Sequence, residues 1–140
     1  MMRLTFLGTA AARPTVGRNV AGLAVQREGE LFLFDCGEGT QRQMMRYATG
    51  FGVGAIFVTH MHADHFLGIT GLVRTMALQG RTDPLRIYGP PGSEPTLRTV
   101  VSLGSDRLAV PVELEGCAPG TGFRGAGYEI RAVAAEHGTT

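Results

Sequence analysis

Lysine is absent from the 140 residues; all thirteen basic side chains are arginine. Such a bias would suit phosphate recognition through the bidentate guanidinium fork. The arginines are scattered and form no basic stripe, however, which reads as compositional bias and not as a binding face. A formal net charge of +1 leaves no electrostatic footprint for a large polyanion and disfavours a stand-alone nucleic-acid binder. Cysteine is equally sparse. Cys36 and Cys117 form no C-x-x-C pair, which excludes a disulfide framework and fits two free thiols in a reducing compartment. No apolar run approaches the ~20 residues of a membrane span. The first twelve residues carry one arginine and a short apolar run ahead of Arg13-Pro14, which is not the layout of a secretory leader. These absences predict a cytoplasmic protein with no membrane association. Internal repeats and low-complexity tracts are also missing, and the length predicts one domain over residues 1–140 with a core that needs no staples.

What the chain does have is a regular alternation of short apolar runs and glycine-rich breaks. Residues 4–7 predict a first strand, and 10–19 a loop punctuated by Pro14 and Gly17. Residues 20–26 and 30–34 predict a hairpin around Arg27-Glu28-Gly29. After Asp35-Cys36-Gly37-Glu38-Gly39, Thr40 is placed to cap a short helix running to about Tyr47. Ala55-Ile56-Phe57-Val58 predicts a buried strand. Phe66, Ile69, Leu72, Val73 and Met76 recur at helical spacing, which predicts an amphipathic helix to about Gln79. A strand at 85–88, a helix from Ser93 to near Gly104, and strands at 110–114 and 128–134 complete the pattern, with a glycine-rich stretch over 116–127 between the last two.

The chemistry is concentrated in Thr59-His60-Met61-His62-Ala63-Asp64-His65, where three imidazoles and one carboxylate fall within six positions after a strand. Imidazole nitrogen and carboxylate oxygen are the donor types that suit Zn²⁺. Burying such groups without partners is costly, so packing alone does not explain the cluster. If the backbone stays extended past Thr59, His60 and His62 point to one side and chelate one ion together. Asp64 and His65 fall where the chain must turn, which suggests a second ion, and two metals about 3.5 to 4 Å apart are the usual arrangement for clamping a phosphoester. His137 follows the predicted strand at 128–134 as His60 follows its own. It is a candidate third ligand for the first ion, equally readable from position alone as an exposed histidine.

His-x-His-x-Asp-His after a hydrophobic strand resembles the signature of the metallo-β-lactamase superfamily. The resemblance implies an α/β fold, the αββα four-layer sandwich, of which this chain is expected to form the N-terminal half. It also implies a dinuclear centre with two Zn²⁺ per complete active site. Further motifs, Leu7-Gly8-Thr9-Ala10-Ala11, Pro14-Thr15-Val16-Gly17-Arg18-Asn19-Val20, Phe34-Asp35-Cys36-Gly37-Glu38-Gly39-Thr40-Gln41, Ile87-Tyr88-Gly89-Pro90 and Glu136-His137-Gly138, make the chain similar to the ribonuclease Z family. That similarity implies cleavage of precursor tRNA after the discriminator base, leaving a 3′-hydroxyl on the tRNA. It implies His60, His62, Asp64, His65 and His137 as metal ligands and Asp64 as the catalytic base. Asp35 would orient a ligand from behind, or cap the turn at Gly37 to Thr40, or both. Arg18 and Asn19 correspond to a loop associated with the RNA 3′ end, in which Val16 replaces the usual basic residue. A homodimer is implied too, with an arm that grips the tRNA from the neighbouring subunit and has no counterpart here. The second ion would have only Asp64 and His65, so the chain is expected to be truncated before the C-terminal half. Other readings are a phosphodiesterase, sulfatase or thioesterase of the same fold, or an inactive metal-binding fragment.

Overall fold

The computed structural model describes residues 1–105 and 110–136. Six strands form one sheet in sequential order: β1 (Met2–Gly8), β2 (Gly22–Arg27), β3 (Glu30–Cys36), β4 (Val53–Phe57), β5 (Leu85–Gly89) and β6 (Val112–Gly116). β1, β2 and β3 pair antiparallel, and β3 to β6 pair parallel. The β2–β3 hairpin turns at Glu28-Gly29, both at positive φ (47° and 83°), as a two-residue connection requires. The parallel crossovers carry α1 (Thr40–Arg46), α2 (Ile69–Leu78) and α3 (Glu94–Ser102). Successive crossovers of one hand, each moving to the next strand, place all three helices on one face.

Strand alternation divides the side chains between two cores. On the helix side, Leu31, Leu33, Ile56, Leu85 and Ile87 pack against Met44, Leu72, Met76, Leu97 and Val101. On the other side, Phe32 and Tyr88 pack with Phe34, Phe57, Phe123, Tyr128 and Ile130. The last three come from a second, two-stranded sheet, β7 (Gly122–Gly125) with β8 (Tyr128–Arg131). Helices, a six-stranded sheet and a two-stranded sheet correspond to the α, β and β layers of the expected αββα sandwich. Along β1, Met2, Leu4 and Phe6 stay exposed on the face that carries Phe32 and Phe34.

Several local expectations shift. Thr40 is the first helical residue and not the cap. Gly39 precedes the helix at φ 84°, and the Thr40 hydroxyl donates to the Gly37 carbonyl at 2.7 Å. The amphipathic helix begins at Ile69, because a 3₁₀ turn (Ala63–His65) and Phe66 at φ −142° intervene. The glycine-rich stretch 116–127 contains β7, which composition hid: Gly122 lies so close to β8 that a Cβ there would stand 1.9 Å from the Ile130 carbonyl oxygen. β8 ends at Arg131, short of Ala134.

Candidate metal centre

The parallel strands deliver their C-terminal ends to one sheet edge, where open α/β sheets place ligands. At the end of β3 the register slips: Gly22 pairs with Cys36 and Leu23 with Phe34, leaving Asp35 as an extra residue at φ 65°. This is a β-bulge, a device that re-aims a side chain. Without it, Asp35 would follow Leu31 and Leu33 into the helix-side core. With it, Cys36 takes that place, fully buried, and burial pushes its thiol pKa up to about 12. The Asp35 carboxylate turns instead toward the end of β4. One oxygen accepts the Thr59 backbone N–H at 2.8 Å, and the other receives His65 Nδ1 at 2.8 Å. The Thr59 hydroxyl lies 3.0 and 2.9 Å from the two oxygens.

Beyond β4 the chain bends at His60, is extended again at His62 (φ −80°, ψ 140°) and then turns through the 3₁₀ segment. Met61 packs toward the helix-side core, and the His60 and His62 side chains come together beside it. Their nitrogens meet, His60 Nε2 to His62 Nδ1, at 3.0 Å. In the turn, His65 Nε2 stands 3.4 Å from Asp64 Oδ2. The two pairs adjoin, with the His60 and His65 ring centroids 4.1 Å apart. His62 is exposed, whereas the side chains of His65 and Asp64 retain 19% and 13% of their exposure, so the centre opens to solvent on one side.

The donor set suits a divalent ion. Two ligands at about 2.0–2.1 Å from a tetrahedral metal stand about 3.3 Å apart. Both the nitrogen–nitrogen and the nitrogen–oxygen pair lie near that spacing. Among the described residues no three His, Cys, Asp or Glu side chains gather into one group able to hold an ion. Among the described residues the four donors stand as two adjoining pairs. His137 lies outside the described residues.

Two glycines permit the approach of the loops. A Cβ on Gly37 would lie 2.2 Å from the Asp64 carbonyl oxygen, and one on Gly68 would lie 2.0 Å from the Gly37 carbonyl oxygen. The Gly68 N–H also donates to the Cys36 carbonyl at 2.9 Å, tying the turn that carries Asp64 to the end of β3. Asn19 is anchored rather than displayed: its Nδ2 donates to the Glu38 carbonyl at 2.9 Å, fastening the 10–19 loop beside the centre. Arg18 is exposed on that loop, whose tip is closed by backbone bonds between Thr15 and Arg18. Sequence reading gave no role to Thr59, although its place directly before the first histidine was the available signal.

Residues 31–140 match the family described as Beta-lactamase superfamily domain. A ribonuclease Z of Myxococcus xanthus is 50% identical over 137 residues, which is 98% of this chain and 45% of that protein. One from Gemmatimonas aurantiaca is 54% identical over 133 residues, 94% of this chain and 42% of that protein. The crystal structure of the short form of human tRNase Z superposes with a TM-score of 0.75 at 39% identity, over 85% of this chain and 46% of the human one. The chain thus spans about half the length of the curated relatives it matches. With the fold, the strand-end histidines and a match covering residues 31–140, the chain belongs to the β-lactamase superfamily.

Proposed function

We propose that the chain supplies part of the active site of a zinc-dependent endoribonuclease that removes the 3′ trailer from precursor tRNA, leaving a tRNA 3′-hydroxyl. The observation that carries the chemistry is the side-by-side placement of the His60–His62 and Asp64–His65 pairs at ligand spacing. The substrate class is supported by the ribonuclease Z relatives at 50–54% identity along nearly the whole chain. When bound, zinc lowers the pKa of water toward about 7 and offsets charge on phosphoryl oxygens. His60 and His62, with His137, hold one ion in this reading, and Asp64 and His65 hold the other. Asp64 also takes the proton from, or orients, the attacking water. Asp35 fixes the His65 ring through Nδ1, leaving Nε2 toward the metal, the usual carboxylate–histidine support of a ligand. Arg18 meets the RNA backbone near its 3′ end, on a loop that Asn19 holds in place. The active unit is a homodimer working in the cytoplasm.

Residues 1–140 alone are expected to bind zinc but cleave poorly, a reading supported by the two incomplete pairs among the described residues. The test combines zinc content per chain, for the wild type and His62→Ala, with cleavage of 3′-extended precursor tRNA and of small phosphodiesters and thioesters. Zinc lost in His62→Ala supports the site, and equal zinc in both proteins defeats it. Turnover of small esters by the wild type without any precursor-tRNA cleavage defeats the substrate assignment. Robust precursor-tRNA cleavage by the chain alone would instead show that the two pairs suffice.

A further inference from the structure

We propose that Thr59 is a positioning residue whose hydroxyl extends the hold of Asp35 from His65 to His60, so that one carboxylate sets the ring orientation of both donor pairs. The inference rests on the metal-site reading above and adds a residue to it. A threonine hydroxyl has one proton to donate and lone pairs with which to accept. Thr59 Oγ1 lies 3.0 and 2.9 Å from the two Asp35 oxygens, and an ionised carboxylate only accepts, so the hydroxyl proton is committed there. The same oxygen lies 3.0 Å from His60 Nδ1. With its proton spent on Asp35, the hydroxyl can only accept from that nitrogen, so His60 carries its hydrogen on Nδ1.

The lone pair of His60 is therefore on Nε2, the nitrogen that faces His62. His65 is set the same way without an intermediary, because its Nδ1 donates to Asp35 directly and its Nε2 faces Asp64. Two histidines five positions apart thus present the same nitrogen to the centre, one held by the carboxylate and the other through Thr59 Oγ1. Partners behind ligand histidines fix tautomer and ring orientation in this manner. The Thr59 backbone N–H also donates to Asp35, so substituting the side chain removes the relay while keeping the strand end attached.

The test compares the chain with Thr59→Ser, which keeps the hydroxyl, and Thr59→Val, which replaces it with a methyl of similar shape. Heteronuclear NMR of the histidine ring nitrogens in metal-free protein, recorded at a pH where the spectra themselves show neutral rings, reads the tautomers. His60 should be protonated on Nδ1 in the wild type and Thr59→Ser, and should lose that preference in Thr59→Val. His65 should stay protonated on Nδ1 in all three and serves as the fold control. Zinc affinity should match the wild type in Thr59→Ser and fall about 10- to 100-fold in Thr59→Val. If the His65 signal shows that Thr59→Val disturbs the fold, Thr59→Ala repeats the comparison without the added methyl. An Nδ1-protonated His60 that survives loss of the hydroxyl, or Thr59→Ser behaving like Thr59→Val, overturns the proposal. A wild type that takes up no zinc defeats the metal reading instead, and the ring-proton comparison still decides the role of Thr59.

Discussion

Asp35 is the residue whose removal should be felt most widely, and two substitutions separate its two burdens. Asp35→Ala deletes the acceptor of the Thr59 N–H and of His65 Nδ1–H, both at 2.8 Å. Leaving a donor unsatisfied costs about 1–3 kcal/mol. Both bonds are only part-buried, so the lower half of that range applies, giving about 2–4 kcal/mol for the pair, a large share of the usual 5–15 kcal/mol. Asp35→Gly loses the same bonds but relieves the φ of 65° that alanine would have to keep. Glycine elsewhere in a strand is worse than alanine by about 0.5–1 kcal/mol. Here the order should reverse, with glycine the more stable by about 1 kcal/mol, because a left-handed backbone penalises any Cβ. In urea titrations followed by circular dichroism that is a midpoint difference of about half a molar, for a slope of about 2 kcal/mol/M. Asp35→Ala costing less than about 1 kcal/mol would refute the acceptor argument. Asp35→Gly falling below Asp35→Ala would refute the bulge argument, whichever way the first result goes.

Two further substitutions probe the surroundings. Gly68→Ala puts a Cβ 2.0 Å from the Gly37 carbonyl oxygen, and since the obstacle is backbone the loops must part; overpacking of this kind costs about 1–3 kcal/mol. The variant should show a lower urea midpoint and shifted His65 ring resonances, whereas wild-type values for both would mean that the Gly37–Gly68 contact does not hold the turn in place. Cys36 predicts an alkaline weakening. Its thiol is neutral to about 12 when folded but ionises near 9.0 when unfolded, so the stability it contributes is full below pH 9 and is lost as pH rises from there toward 12. Cys36→Ala should flatten that fall, and alkylation of the native chain at about pH 8 should modify the half-buried Cys117 alone. A second thiol reacting in the native state would contradict the burial.

Most of the strands and the cluster were legible because both rest on short-range rules. Alternating or continuous apolar runs between glycines give strands, and the Ile69, Leu72, Val73, Met76 spacing gives the face of α2 that is in fact buried. The two histidines do meet, but the straight run expected past Thr59 is broken by a bend at His60. What could not be read depends on contacts far apart in sequence. β7 is a strand only because Phe123 finds Phe32, Phe57 and Tyr88 across the sheet, and its glycines, which argue for a loop, are required by the close approach of β8. The start of α2 was misplaced because Phe66 continues the apolar period while its backbone leaves the helix. Thr40 carries the chemistry of a cap, yet Gly39 in the left-handed region supplies the turn, and the hydroxyl is spent on Gly37.

The bulge at Asp35 explains why these separate features form one site. His60 and His62 meet across a bend at His60, whereas Asp64 and His65 come together because the chain turns at Ala63. No single regular element could present all four donors, and two conformations in succession leave the pairs free to drift relative to one another. Something fixed must brace both. A side chain in regular register on β3 would point into the helix-side core or onto the aromatic face, and neither direction reaches the end of β4. One extra residue at φ 65° gives a third direction, and a carboxylate placed there meets the strand end at Thr59 and the turn at His65 in a single step. The strained conformation and the buried charge are thus two sides of one requirement: a rigid acceptor between two segments of different backbone geometry.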